Sequence, residues 1–414
     1  MSSQMAYVYI DLRGEQFLVG RLWAHNRKGR ESASFEYAEN WLTHPDRFPL
    51  EPLLKLSAGT FHSADKSMFG AIGDSAPDRW GRVLMRRAAN RRTQLEGQTA
   101  RALMEMDYLL GVNDEARQGA LRFALQEGGP YLSSNTTPIP PFIDLPKLLS
   151  ASDNVLNEKE SDQDLRLLLA PGSSLGGARP KASVRDKDGK LALAKFPHKD
   201  DEFSTVLWEA VALTLAEKAG IKIPRWRIEK ITDRPVILLT RFDRLDQERI
   251  PYLSAMSMLG AKDNEEHSYL EIIDAIRQYG AAPKEDIAAL FRRIAFNVLI
   301  SNTDDHLRNH AFLYHGPLGW RLSPAYDLNP VPVEIKPRIL TTLIDLNNGT
   351  ASLELLMSVV EDFGLKKEMA EDIISEVGKA VAQWRGIAKK IGVSQNEIER
   401  MSSAFEHRDL EQAL

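Results

Sequence analysis

Cysteine is absent from the 414 residues of this chain. Disulfide bonds, thiolate zinc sites and a cysteine nucleophile are therefore excluded, and the composition suits a reducing compartment. No apolar run approaches the ~20 residues that are needed to span a bilayer. The N-terminal segment MSSQMAYVYIDLRGEQ also lacks the basic region and the apolar stretch of a signal peptide. We therefore expect a cytoplasmic protein without a membrane partner.

A strong charge of either sign is also missing. The net charge is −5, so the molecule as a whole is not an electrostatic trap for nucleic acid. Hydrophobic residues make up 43% and charged residues 27% of the chain, which is the composition of an ordinary soluble globular protein. Because domains commonly hold roughly 100–200 residues, two or three structural units with a large buried core are expected.

The first part of the chain predicts a unit of strands followed by helices. Residues 6–12 and 16–23 are rich in β-branched and aromatic side chains, which is typical of two strands joined by a turn. A helix is expected over 78–92. Gly, Pro, Ser and Asn then accumulate over 126–163, which favours a connector around a short helix. We predict an N-terminal subdomain over 1–125.

After the connector, the pattern predicts a small sheet that one helix crosses. A glycine-rich loop over 171–181 precedes two short strands around an Asp188-Gly189 turn, which is typical of a β-hairpin. Apolar residues at helical spacing follow over 203–219. Two further strands come next, and the second ends in the segment LLTRFDR. We predict a first lobe over 164–250.

Beyond this lobe, over 251–414, the pattern predicts mainly helices and therefore a second lobe. Residues 284–300 place apolar side chains at the helical period, which indicates a helix with one buried face. Two short strands follow around His315-Gly316-Pro317. Three further helices are expected near the C-terminus, over 351–362, 366–390 and 393–412.

The polar segment that directly follows the helix over 284–300 carries the strongest chemical signal. It holds Asp304 and Asn309, and Asp327 comes after the two short strands. On its own the segment is equally well explained as a solvated helix end, because Asp and Asn are common loop residues. An Asp, an Asn five residues later, a hairpin and a second Asp are nevertheless the layout of a kinase active site. The first Asp would orient the attacking hydroxyl, while the Asn and the second Asp would hold Mg²⁺ through oxygen ligands.

Two further features fit a nucleotide site. Lys195 lies on an aliphatic strand, where an inward ammonium is costly without a partner, and Glu209 on the following helix is the natural carboxylate for it. A lone strand lysine is more often an edge-strand charge, so Lys195 gains weight from the glycine loop before it. In that loop Gly176 and Gly177 let backbone N–H groups approach phosphate oxygens, close to Lys181. The loop matches neither Walker A nor G-x-G-x-x-G, and taken alone it is better explained as an ordinary surface loop.

Several motifs match one known family. They are ISNTDDHLRNHAFLY, LSPAYDLNP, SSLGGARPK, LAKFP, LLTRFDR and, near the N-terminus, GAIGDSAPDRWGR. Through them the chain resembles the HipA-type serine/threonine kinases, which are toxins of type II toxin–antitoxin modules. The resemblance implies that Asp304 is the catalytic aspartate, that Asn309 and Asp327 bind the metal, and that Lys195 binds ATP.

The resemblance also implies roles for loop and hinge residues. Thr240 and Phe242 would lie at the hinge that meets adenine. Ser174 matches the loop serine that such kinases autophosphorylate, with the neighbouring Ser173 as an alternative. Phosphorylation of this serine would move the loop outward and switch the enzyme off. The residues expected at the ATP site are thus Lys195, Ser174, Gly176, Gly177, Lys181, Thr240, Phe242 and Glu209.

Other polar groups near the motif are expected to have lesser roles. Asp305 stands where the family's best-studied form has glycine, and we expect its carboxylate to face solvent. Structural roles are expected for His306 and His310, whereas Arg308 fits a phosphate contact and a solvated charge equally well. The basic residues of the helix over 78–92 fit a solvated helix face better than a contact with an antitoxin or DNA.

These observations predict an α+β protein with a protein-kinase-like two-lobed fold, an N-terminal α/β accessory subdomain and a mainly helical C-terminal lobe. The expected activity is ATP- and Mg²⁺-dependent transfer of the γ-phosphoryl group to a protein hydroxyl. By resemblance, the partners are a HipB-like helix-turn-helix antitoxin, DNA only through that antitoxin, and a protein substrate for which an aminoacyl-tRNA synthetase is a candidate. Two alternatives stay open: a kinase-fold enzyme that acts on a small molecule, and a catalytically silent component of an antitoxin–DNA complex.

Overall fold

The computed structural model describes residues 3–97, 101–132, 139–169, 177 and 179–414. The chain divides into two compact units, each built from two stretches of sequence. The first unit comprises Met1–Lys199 and Glu229–Leu253, and the second comprises Asp200–Ile228 and Ser254–Leu414. Among the residues described, every helix is too short or too polar to traverse a bilayer. The boundaries predicted near residues 125, 163 and 250 stay predictions.

A five-stranded antiparallel sheet opens the first unit. Its strands are β1 (Ser3–Leu12), β2 (Glu15–Arg27), β3 (Arg30–Tyr37), β4 (Thr60–His62) and β5 (Leu121–Ala124), in the order β4-β3-β2-β1-β5. Because side chains alternate across a sheet, Val8 and Ile10 of β1 both reach the core. Arg13 and Gly14 both take positive φ, as a two-residue type I′ turn requires. The two strands predicted at the N-terminus are confirmed.

Six helices of the first unit are described. They are α1 (Glu39–Thr43), α2 (Gly70–Gly73), α3 (Arg79–Leu95), α4 (Glu105–Gly111), α5 (Leu145–Leu156) and α6 (Asp162–Leu169). The predicted helix over 78–92 is confirmed as α3, and the Asp78 carboxylate caps it by accepting a hydrogen bond from the Gly81 N–H at 2.8 Å. Helix α5 lies within the segment predicted as a connector. Leu148 of α5 and Leu165 of α6 share a hydrophobic core with Trp80 of α3.

Several basic residues of α3 are paired within the first unit. Arg82 donates to both carboxylate oxygens of Glu105 at 2.7 Å. Arg87 lies 3.0 Å from the Glu160 carboxylate. These two arginines of α3 therefore form ion pairs with carboxylates of the same unit.

A second sheet carries three of the residues predicted to bind nucleotide, which are Lys181, Lys195 and Thr240. Its strands are β6 (Lys181–Arg185), β7 (Leu191–Lys195), β8 (Trp226–Ile231) and β9 (Arg234–Thr240), in the order β6-β7-β9-β8. The β6–β7 pair is the predicted hairpin, and Gly189 turns it with a φ of +79°. Short strands β10 (Arg244–Leu245) and β11 (Glu248–Arg249) form a separate hairpin.

The second unit is mainly helical. Its helices are α7 (Thr205–Lys218), α8 (Ala255–Met258), α9 (Tyr269–Tyr279), α10 (Pro283–Leu299), α11 (Leu353–Ser358), α12 (Lys367–Val381), α13 (Trp384–Ile391), α14 (Gln395–Arg400), α15 (Ser402–Phe405) and α16 (Arg408–Ala413). Strand β12 (Tyr252–Ser254) leads into it, and β13 (Ala311–Tyr314) and β14 (Trp320–Leu322) form an antiparallel hairpin. The helices predicted over 203–219 and 284–300 and the hairpin after the polar segment are confirmed.

The expectation of three long C-terminal helices is wrong. The segment predicted as one helix over 366–390 contains α12 and α13, and the segment over 393–412 contains three short helices. Trp384 begins α13 at the break and is buried against Phe405, with ring centroids 4.6 Å apart, and against Trp208 at 6.2 Å. Apolar periodicity continues across such breaks, because each short helix buries its own face in the same core.

A buried cluster of charges joins two loops within the first unit. Arg241, just after β9, donates to both oxygens of the Asp243 carboxylate at 2.7 and 2.5 Å, and to the Ala116 carbonyl at 2.8 Å. Asp243 also accepts hydrogen bonds from the Gly119 N–H and from Arg244. Burial on its own would raise the pKa of Asp243, but Arg241 and Arg244 hold it well below its ordinary value. The carboxylate therefore stays ionised and ties the chain after β9 to the loop before β5.

We expect the substitution Asp243→Asn to lower the free energy of unfolding by about 3–5 kcal/mol, because it leaves buried guanidinium groups without their counter-charge. The folded-state pKa of Asp243 lies below its unfolded value of about 3.9. The contribution of the carboxylate is therefore present at neutral pH and is lost as the pH falls below about 4. Urea denaturation of both proteins at pH 7 and pH 3 measures this difference.

The matched control for this variant is Asp246→Asn. The Asp246 side chain is 77% exposed and pairs with Lys190 at the surface, so its loss should change the free energy of unfolding by less than about 1 kcal/mol. An equal effect of the two substitutions at pH 7 would contradict the role given to Asp243.

Candidate active site

The loop that follows α10 is anchored in the core of the second unit. Helix α10 ends at Leu299, and Ser301 takes a left-handed φ of +52°, which turns the chain. The Ser301 hydroxyl donates to the Ala404 carbonyl at 2.8 Å, and the Asn302 side-chain nitrogen donates to Asn297 Oδ1 at 3.1 Å. Since Ser301 and Asn302 are fully buried, the start of the loop is fixed in position.

Asp304 presents its carboxylate to solvent, with 67% of the side chain exposed. Its backbone carbonyl accepts hydrogen bonds from the Asn309 side-chain nitrogen at 3.1 Å and from the His306 N–H at 2.9 Å. Lys336 Nζ lies 3.9 Å from Asp304 Oδ1. The backbone is thus held while the carboxylate stays accessible, as an acceptor for a hydroxyl proton requires.

Asp305 does not face solvent, and the expectation that it would is wrong. Its side chain is buried, and Oδ2 accepts hydrogen bonds from the Tyr269 hydroxyl at 2.5 Å, Asn297 Nδ2 at 2.7 Å and His310 Nε2 at 2.8 Å. Burial alone would raise the pKa of Asp305, but His310 and the other donors lower it below its ordinary value. Three donors thus satisfy a buried carboxylate, as such a group requires. The structural role expected for His310 is confirmed by this contact.

The β13–β14 hairpin returns the chain to the same loop. After it, the Tyr326 hydroxyl donates to the Arg308 carbonyl at 2.7 Å. Asp327 follows with a left-handed φ of +59°, a conformation that Asp tolerates better than most residues with a side chain. The hairpin therefore brings the segment around Asp327 back to the loop that carries Asp304 and Asn309. The Arg308 side chain itself is 45% exposed and pairs with Asp263 at 2.9 Å, as a solvated charge does.

Asn309 and Asp327 have the chemistry of a magnesium donor set. The Asn309 side-chain nitrogen is engaged by the Asp304 carbonyl, which leaves the amide oxygen as the atom able to bind a cation. Mg²⁺ is commonly held through one or two protein oxygen ligands, with phosphate oxygens and water completing its shell. The amide oxygen of Asn309 and the carboxylate of Asp327 are thus of the ligand type that Mg²⁺ prefers.

Arg293 and Asn297 of α10, which lie behind the loop, were not singled out by the sequence. A small cavity there is lined by Arg293, Asn297, Asp305, Asn309 and Tyr326, among others. Arg293 belongs to α10, is buried, and donates to the Ser323 carbonyl. Burial lowers the pKa of Arg293 to about 10, against the opposite effect of the Asp305 charge. A charged residue and an amide residue among the apolar residues of α10 are the sequence signal that could have indicated this polar cavity.

The predicted nucleotide-binding residues of the first unit lie around β7 and β9. Lys195 is half-buried at the end of β7, opposite Lys181 on β6. Lys181 is buried, its ammonium lies 2.9 Å from the Asp78 carboxylate, and its carbonyl accepts a hydrogen bond from Trp80 Nε1 at 3.1 Å. The contact to Asp78 shows that α3 holds the chain just after the glycine-rich loop.

The structure describes some of the remaining predicted residues. Thr240 is half-buried at the end of β9 and pairs with Ala192, and Phe242 is half-buried two residues later. Gly177 is exposed and takes a φ of +83°. Glu209 is buried on α7, in the second unit. The predicted residues Ser173, Ser174 and Gly176 lie outside the described residues.

We expect Asp305→Asn to lower the free energy of unfolding by about 3 kcal/mol or more, because the variant removes a buried charge that His310 needs and offers fewer acceptor sites. The neighbouring substitution Asp304→Asn makes the same chemical change at an exposed carboxylate. It should alter stability by no more than about 0.5 kcal/mol.

Urea denaturation of the two variants at pH 7 separates these roles. A stability loss in Asp304→Asn as large as that in Asp305→Asn would contradict the assignment of one residue to solvent and the other to the interior.

Two family profiles match this chain. A profile described as HipA N-terminal domain matches residues 10–108, and one described as HipA-like C-terminal domain matches residues 173–384. The second match alone spans more than half of the chain. The loop and hairpin segments that carry Asp304, Asn309 and Asp327 all lie within it.

Individual proteins show the same likeness. The kinase-named protein Y4mE of Sinorhizobium fredii is 25% identical in an alignment of length 327 that covers 71% of this chain and 71% of that protein. A kinase-named protein of Haemophilus influenzae is 32% identical in an alignment of length 212 that covers 44% of this chain and 61% of that protein.

A solved structure extends the likeness to the fold. HipA in a Shewanella oneidensis complex of HipA, HipB and operator DNA matches with a TM-score of 0.64 and 15% identity, covering 99% of this chain and 96% of that one. This match confirms the predicted α+β kinase-like fold. The profile matches show that the chain is a kinase-like protein of the HipA family.

Proposed function

We propose that this protein is a serine/threonine protein kinase that uses ATP and Mg²⁺ and transfers the γ-phosphoryl group to a protein hydroxyl. The observation that carries the proposal is that the neighbouring carboxylates of Asp304 and Asp305 differ in exposure and in role. Asp305 is buried and fixes the loop, while Asp304 is exposed and available to a substrate. Phosphoryl transfer asks mainly for positioning and electrostatics, which a rigid loop of this kind supplies.

Asp304 acts in this proposal on the attacking hydroxyl. Its carboxylate accepts the hydrogen bond of a Ser or Thr hydroxyl, aims the oxygen at the γ-phosphorus and takes up the proton. Asn309 and Asp327 would hold Mg²⁺ through side-chain oxygens, and the bound ion would supply neutralisation of phosphate charge. The buried contacts of Asp305 keep these groups from reorganising during the reaction.

Most of the residues proposed to bind the nucleotide belong to the first unit. Lys195 would pair with the α- and β-phosphates and be oriented by Glu209, while Thr240 and Phe242 would meet the adenine ring. The backbone of Gly176 and Gly177, with Ser174, would cover the phosphates. Lys181 would act by fixing the end of this loop, since its ammonium pairs with Asp78.

Partners and regulation are proposed from the family. The Shewanella structure contains HipA with HipB and operator DNA, which supports a HipB-like helix-turn-helix antitoxin as the partner of this chain and DNA contact through that antitoxin. The substrate is a protein, with an aminoacyl-tRNA synthetase as a candidate class. A cytoplasmic location fits the lack of cysteine.

The substitution Asp304→Asn should reduce transfer of labelled phosphate from ATP by about 10²–10⁴-fold, because the amide cannot take the hydroxyl proton. Phosphate incorporation into the protein itself provides the assay when the natural substrate is not at hand. Asp274→Asn is the control, since Asp274 is another exposed aspartate of the second unit, its side chain is 76% accessible, and it pairs with Arg277 on the same helix, α9. Equal activity of Asp304→Asn and the wild type would overturn the proposal.

The autophosphorylation site is expected at Ser174. Incubation with ATP and Mg²⁺ followed by tandem mass spectrometry should place phosphate on the peptide that contains this serine. Ser174→Ala should remove the phosphate, and Ser173→Ala should retain it. Phosphate that follows Ser173 instead would move the assignment by one residue, and its absence from both would contradict this mode of regulation.

A further inference from the structure

Lys336 is distant from Asp304 in the sequence, but its ammonium lies beside the exposed Asp304 carboxylate. Lys336 lies C-terminal to Asp327, in a turn that begins at Pro332. The Lys336 N–H donates to the Pro332 carbonyl at 3.2 Å. Its ammonium donates to the Thr303 carbonyl at 3.3 Å and lies 3.9 Å from Asp304 Oδ1. The charged end of Lys336 therefore sits beside the residue proposed to receive the hydroxyl proton.

The segment that carries Lys336 is fixed on both sides of this contact. Before it, the Val331 N–H donates to the Ser301 carbonyl at 3.2 Å. After it, Thr341 donates to the Thr303 carbonyl through both its N–H, at 3.2 Å, and its hydroxyl, at 2.9 Å. The backbone thus holds Lys336 in place without help from its ammonium.

The Lys336–Asp304 pair contributes little to holding the fold. At 3.9 Å it is longer than a hydrogen bond, and the two side chains are 43% and 67% exposed. Exposed ion pairs of this kind stabilise proteins weakly. An ammonium has three N–H donors, and the Thr303 carbonyl uses one of them.

Two other basic residues near the loop, Arg308 and Arg293, interact with groups other than Asp304. Arg308, on the catalytic loop, pairs with Asp263 at 2.9 Å. Arg293 is buried behind the loop and donates to the Ser323 carbonyl. Within the described ranges, Lys336 is the basic residue whose charged group comes within 4 Å of the Asp304 carboxylate. Phosphoryl transfer needs positive charge at the transferred group, and Lys336 is placed to provide it.

We propose that Lys336 is a further catalytic residue, whose ammonium contacts the non-bridging oxygens of the γ-phosphoryl group next to Asp304. This inference rests on the proposed kinase function. In the step, the substrate hydroxyl oxygen forms a bond to the γ-phosphorus, and the bond from that phosphorus to the β,γ-bridging oxygen breaks. The electron pair leaves with ADP, and the hydroxyl proton passes to Asp304 and then to solvent. Lys336 keeps its proton throughout and stabilises the charge on the transferred group.

Nucleotide binding tests this role without relying on turnover. Calorimetric titration with Mg²⁺–ATP and with Mg²⁺–ADP should show that Lys336→Met weakens ATP binding by about tenfold, because a charge-assisted hydrogen bond to the γ-phosphate is lost. ADP binding should stay within about twofold of the wild type, since ADP lacks that phosphate. The rate of phosphate transfer should fall by about 10²-fold, as for loss of one preorganised donor. Lys336→Arg, which retains a positive charge, should recover part of this loss.

Lys367→Met is the matched control. Lys367 is an exposed lysine of the same unit, 74% accessible, and pairs with Glu371 one helical turn away at 3.8 Å. Its substitution should leave ATP binding, ADP binding and transfer unchanged, and thermal unfolding of both variants reports whether the fold is kept.

The outcomes separate the failure of this inference from the failure of the proposed function. If the wild type binds ATP and transfers phosphate while Lys336→Met loses ATP and ADP affinity equally, or loses neither, the role of Lys336 is wrong and the kinase stands. If the wild type binds no ATP, both fall together.

Discussion

The candidate site depends on one buried carboxylate. Asp305 accepts three hydrogen bonds, from a tyrosine of α9, an asparagine of α10 and a histidine just before β13. Elements from separate parts of the sequence therefore converge on one oxygen of one loop residue. With Asp305 drawn inward, the preceding Asp304 is left at the surface, where 67% of its side chain is exposed. A buried charge with too few partners is costly, so this loop is stable only when all three donors are in place.

In the first unit, buried carboxylates also fix the chain in position. There Asp243 is enclosed by Arg241, Arg244 and the Gly119 N–H, and Lys181 pairs with Asp78 out of contact with solvent. Both contacts lie next to segments proposed to meet the nucleotide. Buried ion pairs add little net stability compared with apolar packing, but they fix geometry, because breaking them leaves an uncompensated charge. Fixed geometry is what phosphoryl transfer asks of a protein.

Much of the fold could be predicted from the sequence, because the determinants were local. The apolar period over 284–300 and the Asp188-Gly189 turn each depend on a few neighbouring residues. The C-terminal helices were merged wrongly, since the apolar pattern continues across the break at which Trp384 packs on Phe405. Asp304, Asn309 and Asp327 were proposed as site residues because their order along the chain matches a known arrangement.

Asp305 and Lys336 show what local patterns leave out. An aspartate in a polar segment looks solvated until Tyr269 and Asn297 are known to point at it. A lysine in the proline-rich segment NPVPVEIKPR carries no signal of its own. Backbone and hydroxyl contacts of Val331 and Thr341 with the loop place it near Asp304. Long-range pairing of this kind is set by the tertiary fold, and no residue spacing encodes it.

The most direct test of the account is a crystal structure with Mg²⁺ and a non-hydrolysable ATP analogue. The account predicts a magnesium ion bound by the amide oxygen of Asn309 and the carboxylate of Asp327, with the γ-phosphate facing Asp304. A nucleotide bound elsewhere, or a metal shell without either residue, would contradict it.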